Sequence, residues 1–125
     1  MANELILIVE DNEKNLKLAR DVLRFHGFRT VEATDRESAI ALSVEHLPAL
    51  VLMDIQLPGM DGIAAMKRIR ADARTKHIPT VALTASVMSG DRERFDEAGF
   101  DGFIAKPIEV RSFPDQVRAY LEAKR

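Results

Sequence analysis

Cysteine is missing from all 125 residues, which excludes disulfides, thiolate metal sites and a cysteine nucleophile. An excess of positive charge is missing too: 18 Lys and Arg stand against 20 Asp and Glu, for a formal charge of −2. Domains built to grip nucleic acid are usually clearly basic, so that class of partner is disfavoured. No apolar run approaches the ~20 residues of a membrane span. The opening from Met1 to Glu4 lacks the basic segment of a secretory signal, so the expected location is cytoplasmic, without membrane insertion. Repeats, low-complexity tracts and Pro/Gly-rich linkers are also absent. The expectation is one domain over residues 1–125, with one sizeable core and no room for a separate output domain.

What is present is an alternation of strand and helix patterns. Leu5 to Val9 is a continuous apolar run, and Leu50 to Met53 and Val81 to Leu83 are shorter ones. Unbroken apolar strands indicate a parallel sheet covered on both faces. Arg29 to Ala33 alternates, as an edge strand would, and Gly102 to Ala105 is a fifth, short segment. Helical spacing occupies Asn15 to His26, with Gly27 as its stop, and Asp35 to His46, with Asp35 as N-cap and Pro48 blocking continuation. Three further helices are expected over Asp61 to Arg70, Ser89 to Ala98 and Phe113 to Ala123. Five strands alternating with five helices, under the right-handed crossover rule, predict a three-layer doubly wound α/β fold. The expectation is a flavodoxin-like, five-stranded parallel sheet in the order 2-1-3-4-5.

Ligands and chemistry in such folds sit at the carboxyl ends of the strands, near the topological switch point. Glu10, Asp11 and Asn12 follow the first strand, and Asp54 ends the third. Thr84 follows the fourth and Lys106 the fifth. Taken singly, Asp11 or Asn12 reads as a helix cap, Thr84 as a satisfied loop hydroxyl and Lys106 as a solvated charge; the joint set does not. Three clustered carboxylates repel one another and raise at least one pKa. A hard divalent cation relieves this, and Mg²⁺ takes oxygen ligands while needing only one or two protein carboxylates. Beside it, a free carboxylate at Asp54 is suited to nucleophilic phosphoryl transfer, with Lys106 as a second positive centre.

These segments resemble the receiver domains of bacterial two-component signalling, across essentially the whole chain. Ile8 to Asn12 is similar to that family's acidic pair, and Leu52 to Gly62 to its phosphoacceptor segment. Val81 to Ala85 resembles its switch-hydroxyl segment, and Ala105 to Pro107 its lysine with a following proline. The wording is most similar to stand-alone receivers of the DivK type, and it is shared by receivers attached to hybrid histidine kinases. The resemblance implies Asp54 as acceptor of a phosphoryl group from a phosphohistidine donor. It implies Mg²⁺ bound by Asp11, Asp54 and the backbone carbonyl of Gln56, with Glu10 acting through water. Lys106 would contact the phosphoryl oxygens, Thr84 would turn toward them, and Phe103 would be the aromatic that moves with Thr84. Many relatives carry Tyr at the position of Phe103, and the Lys106–Pro107 bond is typically cis.

The implied partners are a histidine kinase or histidine phosphotransfer protein as donor, met by Asn12, Asn15 and Leu16, and a downstream protein, a kinase among the candidates. Partner binding would change on the face made by the 89–98 helix, the fifth strand and the last helix. This describes a regulator that promotes its own phosphorylation and dephosphorylation, not a turnover enzyme. A receiver excised from a hybrid histidine kinase is the alternative. A phosphatase of the haloacid dehalogenase kind is remote: it needs a second acid two residues after the nucleophile and then Thr, where Gln56 and Pro58 stand. The acidic turn after the first strand has no Gly-rich loop to cradle a nucleotide's phosphates.

Overall fold

The computed structural model describes residues 3–55, 62–84 and 99–123, with the side chains of residues 62 and 63 excepted. Five strands, β1 (Leu5–Val9), β2 (Arg29–Ala33), β3 (Leu50–Asp54), β4 (Thr80–Thr84) and β5 (Gly102–Ala105), form one parallel sheet in the order β2-β1-β3-β4-β5. Four helices are described: α1 (Glu13–Phe25), α2 (Arg36–His46), α3 (Gly62–Ala71) and α4 (Phe113–Ala123). The expected helix over Ser89 to Ala98 lies outside the described residues.

Strand side chains point alternately to the two faces of the sheet, and the packing divides accordingly. Leu7, Val9, Val51, Met53 and Ala82 meet Ala39 of α2 and Ala65, Met66 and Ile69 of α3. Ile6, Ile8, Leu50, Leu52, Val81 and Leu83 meet Ala19, Val22 and Leu23 of α1 and Phe113, Val117 and Leu121 of α4. Both faces of β1, β3 and β4 are therefore core, as their continuous apolar runs require. The edge strands β2 and β5 are more open.

Several boundaries differ from the sequence expectation for local reasons. β3 ends in Asp54 as expected, whereas β4 extends beyond its apolar run to take in Thr80 and Thr84. Thr80 tolerates full burial because its hydroxyl donates to the Ile78 carbonyl at 3.2 Å. α1 begins at Glu13, two residues early, because the Asn12 side chain caps it by accepting from the Lys14 and Asn15 amides at 3.0 and 3.1 Å. α2 begins at Arg36 with Asp35 as its N-cap, which accepts from the Ser38 amide at 2.8 Å. α3 begins at Gly62, with Asp61 outside the described residues.

From β1 the chain turns to β2 on one side and later to β3 on the other. The switch point therefore lies between the carboxyl ends of β1 and β3. Val9 pairs with Met53 in register, which sets Glu10 and Asp54 side by side at that rim.

Candidate functional site

Glu10, Asp11 and Asp54 converge at the switch point, each offering one carboxylate oxygen within 4.8 Å of the others'. Their surroundings differ. Asp11 is exposed, whereas Glu10 and Asp54 are 2% and 5% exposed. Lys106 enters from the end of β5, its Nζ lying 2.8 Å from Glu10 Oε2 and 3.0 Å from Asp54 Oδ2. The peptide bond from Lys106 to Pro107 is cis. Lys106 is tied to the neighbouring strand by its amide, which donates to the Thr84 carbonyl at 2.7 Å. Thr84 is thus buried at the same rim.

Glu10 is the most constrained of the group. Its Oε1 accepts from the Asn12 amide at 3.2 Å. Its Oε2 is buried and, although close to the ammonium, has no hydrogen bond of good geometry. Burial pushes the Glu10 carboxyl up to about 7, and contact with Asp54 adds to the rise, against the opposing pull of Lys106 and the Asn12 amide. Burial works against the Lys106 ammonium, but Glu10 and Asp54 outweigh it and hold its pKa above the ordinary lysine value. One ammonium thus contacts two of the three carboxylates, and burial beside Asp54 favours the protonated form of Glu10. A hard cation meets the same demand: these are all-oxygen donors, with one exposed carboxylate for entry and one buried oxygen poorly satisfied. The residues present fit Mg²⁺.

The other expected site residues fall in different places. Phe103 is half-buried in β5 against the α2–α3 side of the core, and its carbonyl accepts from the Tyr120 hydroxyl of α4 at 3.2 Å. Gln56, whose carbonyl was expected to complete the cation's ligands, lies outside the described residues, as does the 89–98 part of the expected partner face. Sequence reasoning missed Tyr120. The available signal was Gly102, because a glycine inside a strand often marks the close approach of another group.

A doubly wound sheet with an acidic cluster and one lysine at its switch point defines the class, and the chain belongs to the response regulator receiver domain family, whose model matches residues 6–118. These proteins are regulators of two-component signalling. The chain is 42% identical over 116 residues to the polar-differentiation response regulator DivK of Brucella anthropi, covering 93% of this chain and 94% of that protein. Among solved structures it is similar to a putative response regulator from Chloroflexus aurantiacus, with 31% identity, a TM-score of 0.90, and 96% and 98% of the two chains covered. It is also similar to the receiver domain of a sensor histidine kinase from Pseudomonas aeruginosa, whose active site cleft coordinates a magnesium ion. There the identity is 32%, the TM-score 0.88 and the coverage 97% and 99%.

Proposed function

We propose that this chain is a phosphorylation-controlled switch that accepts a phosphoryl group on Asp54 from a phosphohistidine donor. The observation that carries the reading is the Lys106 ammonium held between Glu10 and Asp54, with Asp11 beside them. In the transfer, an Asp54 carboxylate oxygen bonds to phosphorus as the donor's P–N bond breaks. The imidazole leaves with the electron pair and takes up a proton from solvent.

Asp11, Asp54 and the Gln56 carbonyl would hold Mg²⁺, supported by Glu10. When bound, the cation supplies charge neutralisation for the transferring oxygens. Lys106 already sits 3.0 Å from Asp54, so it meets the phosphoryl oxygens with little movement. Thr84 stands at the end of the adjacent strand, where its hydroxyl serves as donor to the same group. The product adds about −1.5 to −2 charges at an anionic rim. Lys106 and Thr84 then respond, and through β5 and Phe103 they change the partner surface formed with α4 and the 89–98 segment.

The donor in this reading is a histidine kinase or phosphotransfer protein, and the output is a downstream protein in the cytosol. The protein acts through its own surface as a single receiver, supported by a match that spans 94% of the DivK relative. No helix among the described residues is long and apolar enough to cross a membrane. The likeness to a histidine-kinase receiver favours a second reading, in which the domain serves within a hybrid kinase. Incubation with acetyl phosphate and Mg²⁺ tests the site: wild type gains one acid-stable, base-labile phosphate, and Asp54→Ala gains none. Labelling that persists in Asp54→Ala would overturn the assignment.

A further inference from the structure

Gly102 opens β5 at a point where a Cβ would collide with both the ring and the hydroxyl of Tyr120. Its φ is not in the left-handed region, so glycine is required here for close approach and not for backbone freedom. The Tyr120 hydroxyl then donates to the carbonyl of the next residue, Phe103, at 3.2 Å. The start of this strand is fixed independently. The Asp101 amide donates to the Thr80 carbonyl at 2.8 Å, and its carboxylate accepts from Arg70 at 2.7 Å and from the Thr80 amide at 2.8 Å. At the far end stands Lys106, with its amide on Thr84 and its ammonium on Glu10 and Asp54.

β5 has four residues and lies at the edge of the sheet, with β4 as its one neighbouring strand among the described residues. A short edge strand has few ladder bonds, so what packs on its open side decides where its backbone rests. We propose that Tyr120 is a positioning residue: from α4 it sets the backbone of β5 at Gly102 and Phe103, and thereby how Lys106 meets the carboxylates. Its consequence for phosphorylation rests on the proposed function above; its effect on Lys106 does not. The same contact makes α4 sensitive to any shift of β5, because the hydroxyl must follow the Phe103 carbonyl or lose it.

Three variants and three readouts test this. Tyr120→Phe removes the hydroxyl alone, Gly102→Ala displaces the ring, and Val117→Ala cuts a buried contact from the same helix without touching β5's outer side. The first readout is the ¹⁵N signal of the Lys106 ammonium in ion-free protein. The second is the rate at which acetyl phosphate labels Asp54 at saturating Mg²⁺. Tyrosine emission is the third, and it reports on Tyr120 alone because the chain has one Tyr and no Trp.

Tyr120→Phe and Gly102→Ala should shift the ammonium signal and slow labelling about threefold to tenfold, the worth of one net hydrogen bond. Val117→Ala should lower the unfolding midpoint and leave both unchanged. Wild-type emission should change when Mg²⁺ and beryllofluoride are added. Variants at Tyr120 and Gly102 that lose stability but keep the wild-type ammonium signal and labelling rate would overturn the proposal. A wild type that takes up no phosphate would sink the proposed function, and the ammonium signal would still decide the role of Tyr120. Should Gly102→Ala fail to fold, Tyr120→Phe decides alone.

Discussion

Replacing Glu10 by Gln should stabilise the ion-free protein at neutral and alkaline pH and flatten its stability profile. Glu10 is 2% exposed, and burial followed by contact with Asp54 raises its carboxyl from 4.5 to about 7. Between those values the folded protein holds a proton that the unfolded chain has released. Stability therefore falls as pH rises through this window, and the whole penalty is present above the folded value. At about 1.4 kcal/mol per unit of pKa, the loss amounts to about 3 kcal/mol. Gln cannot ionise, and its amide oxygen can still accept from the Asn12 amide. The assay is urea unfolding of both proteins, in chelator, from about pH 5 to about pH 8, where the curves should diverge by about 2–3 kcal/mol. In a domain of this size that corresponds to about 10 °C in Tm at the upper end. Titrating groups away from the rim contribute alike to both proteins, so the difference reports Glu10 together with its partners Lys106 and Asp54. Parallel curves across the window would refute the argument. Saturating Mg²⁺ should restore more stability to wild type than to the variant, because a cation favours the ionised carboxylate.

Lys106→Ala leaves Glu10 and Asp54 buried without their ammonium and should cost about 3 kcal/mol at about pH 8. The cost should be smaller near pH ~5, where Glu10 is protonated; thermal melts at the two pH values decide. Arg70 donates to the carbonyls of Gly99, Lys76 and Ile78 and to the Asp101 carboxylate at 2.7–3.0 Å. Arg70→Ala should therefore lose about 3 kcal/mol in urea unfolding, and Arg70→Lys should recover less than half, because an ammonium cannot fork to these acceptors. Asp35→Ala removes the N-cap of α2 and should lower stability by about 1 kcal/mol in the same assay.

The sheet order and the rim residues were legible because they depend on patterns the chain cannot disguise. Apolar runs of three to five mark strands buried on both faces, and the crossover rule then leaves few ways to order them. The positions after those runs, Glu10, Asp11, Asp54, Thr84 and Lys106, follow without further information. Burial of a particular acid is harder to read. Glu10 and Asp11 are neighbours in sequence, and nothing in their order says that the first is enclosed while the second faces solvent. That difference arises from strand direction: Glu10 extends β1 into the cleft beside Asp54, and Asp11 precedes the Asn12 cap on the open side. Tyr120 was harder to read for another reason: Gly102 signals a close approach without saying which residue makes it. Its partners, Gly102 and Phe103, are 18 and 17 residues earlier in the chain, and only the fold brings them against Tyr120 of α4.

The charge balance at the rim explains why the position of Lys106 matters. With all three acids ionised, one ammonium leaves the cluster two charges short of neutrality. A proton on Glu10 removes part of the deficit, and this is the state that its raised pKa describes. A divalent cation removes more of it and frees Glu10 to ionise. A phosphoryl group on Asp54 adds negative charge and offers the ammonium a third partner besides the two carboxylates. In the proposed switch, Lys106 would redistribute its contacts among these oxygens from one state to the next. A lysine on a mobile loop could follow the charge without moving anything else. Lys106 is instead continuous with a strand fixed at its start by Arg70, Asp101 and Thr80 and flanked by Tyr120. Its change of partner must then be absorbed by β5, and the residue that reads β5 from outside is on the last helix. In the proposed switch, charge at the carboxylates would be converted into a change at the surface because the lysine is anchored.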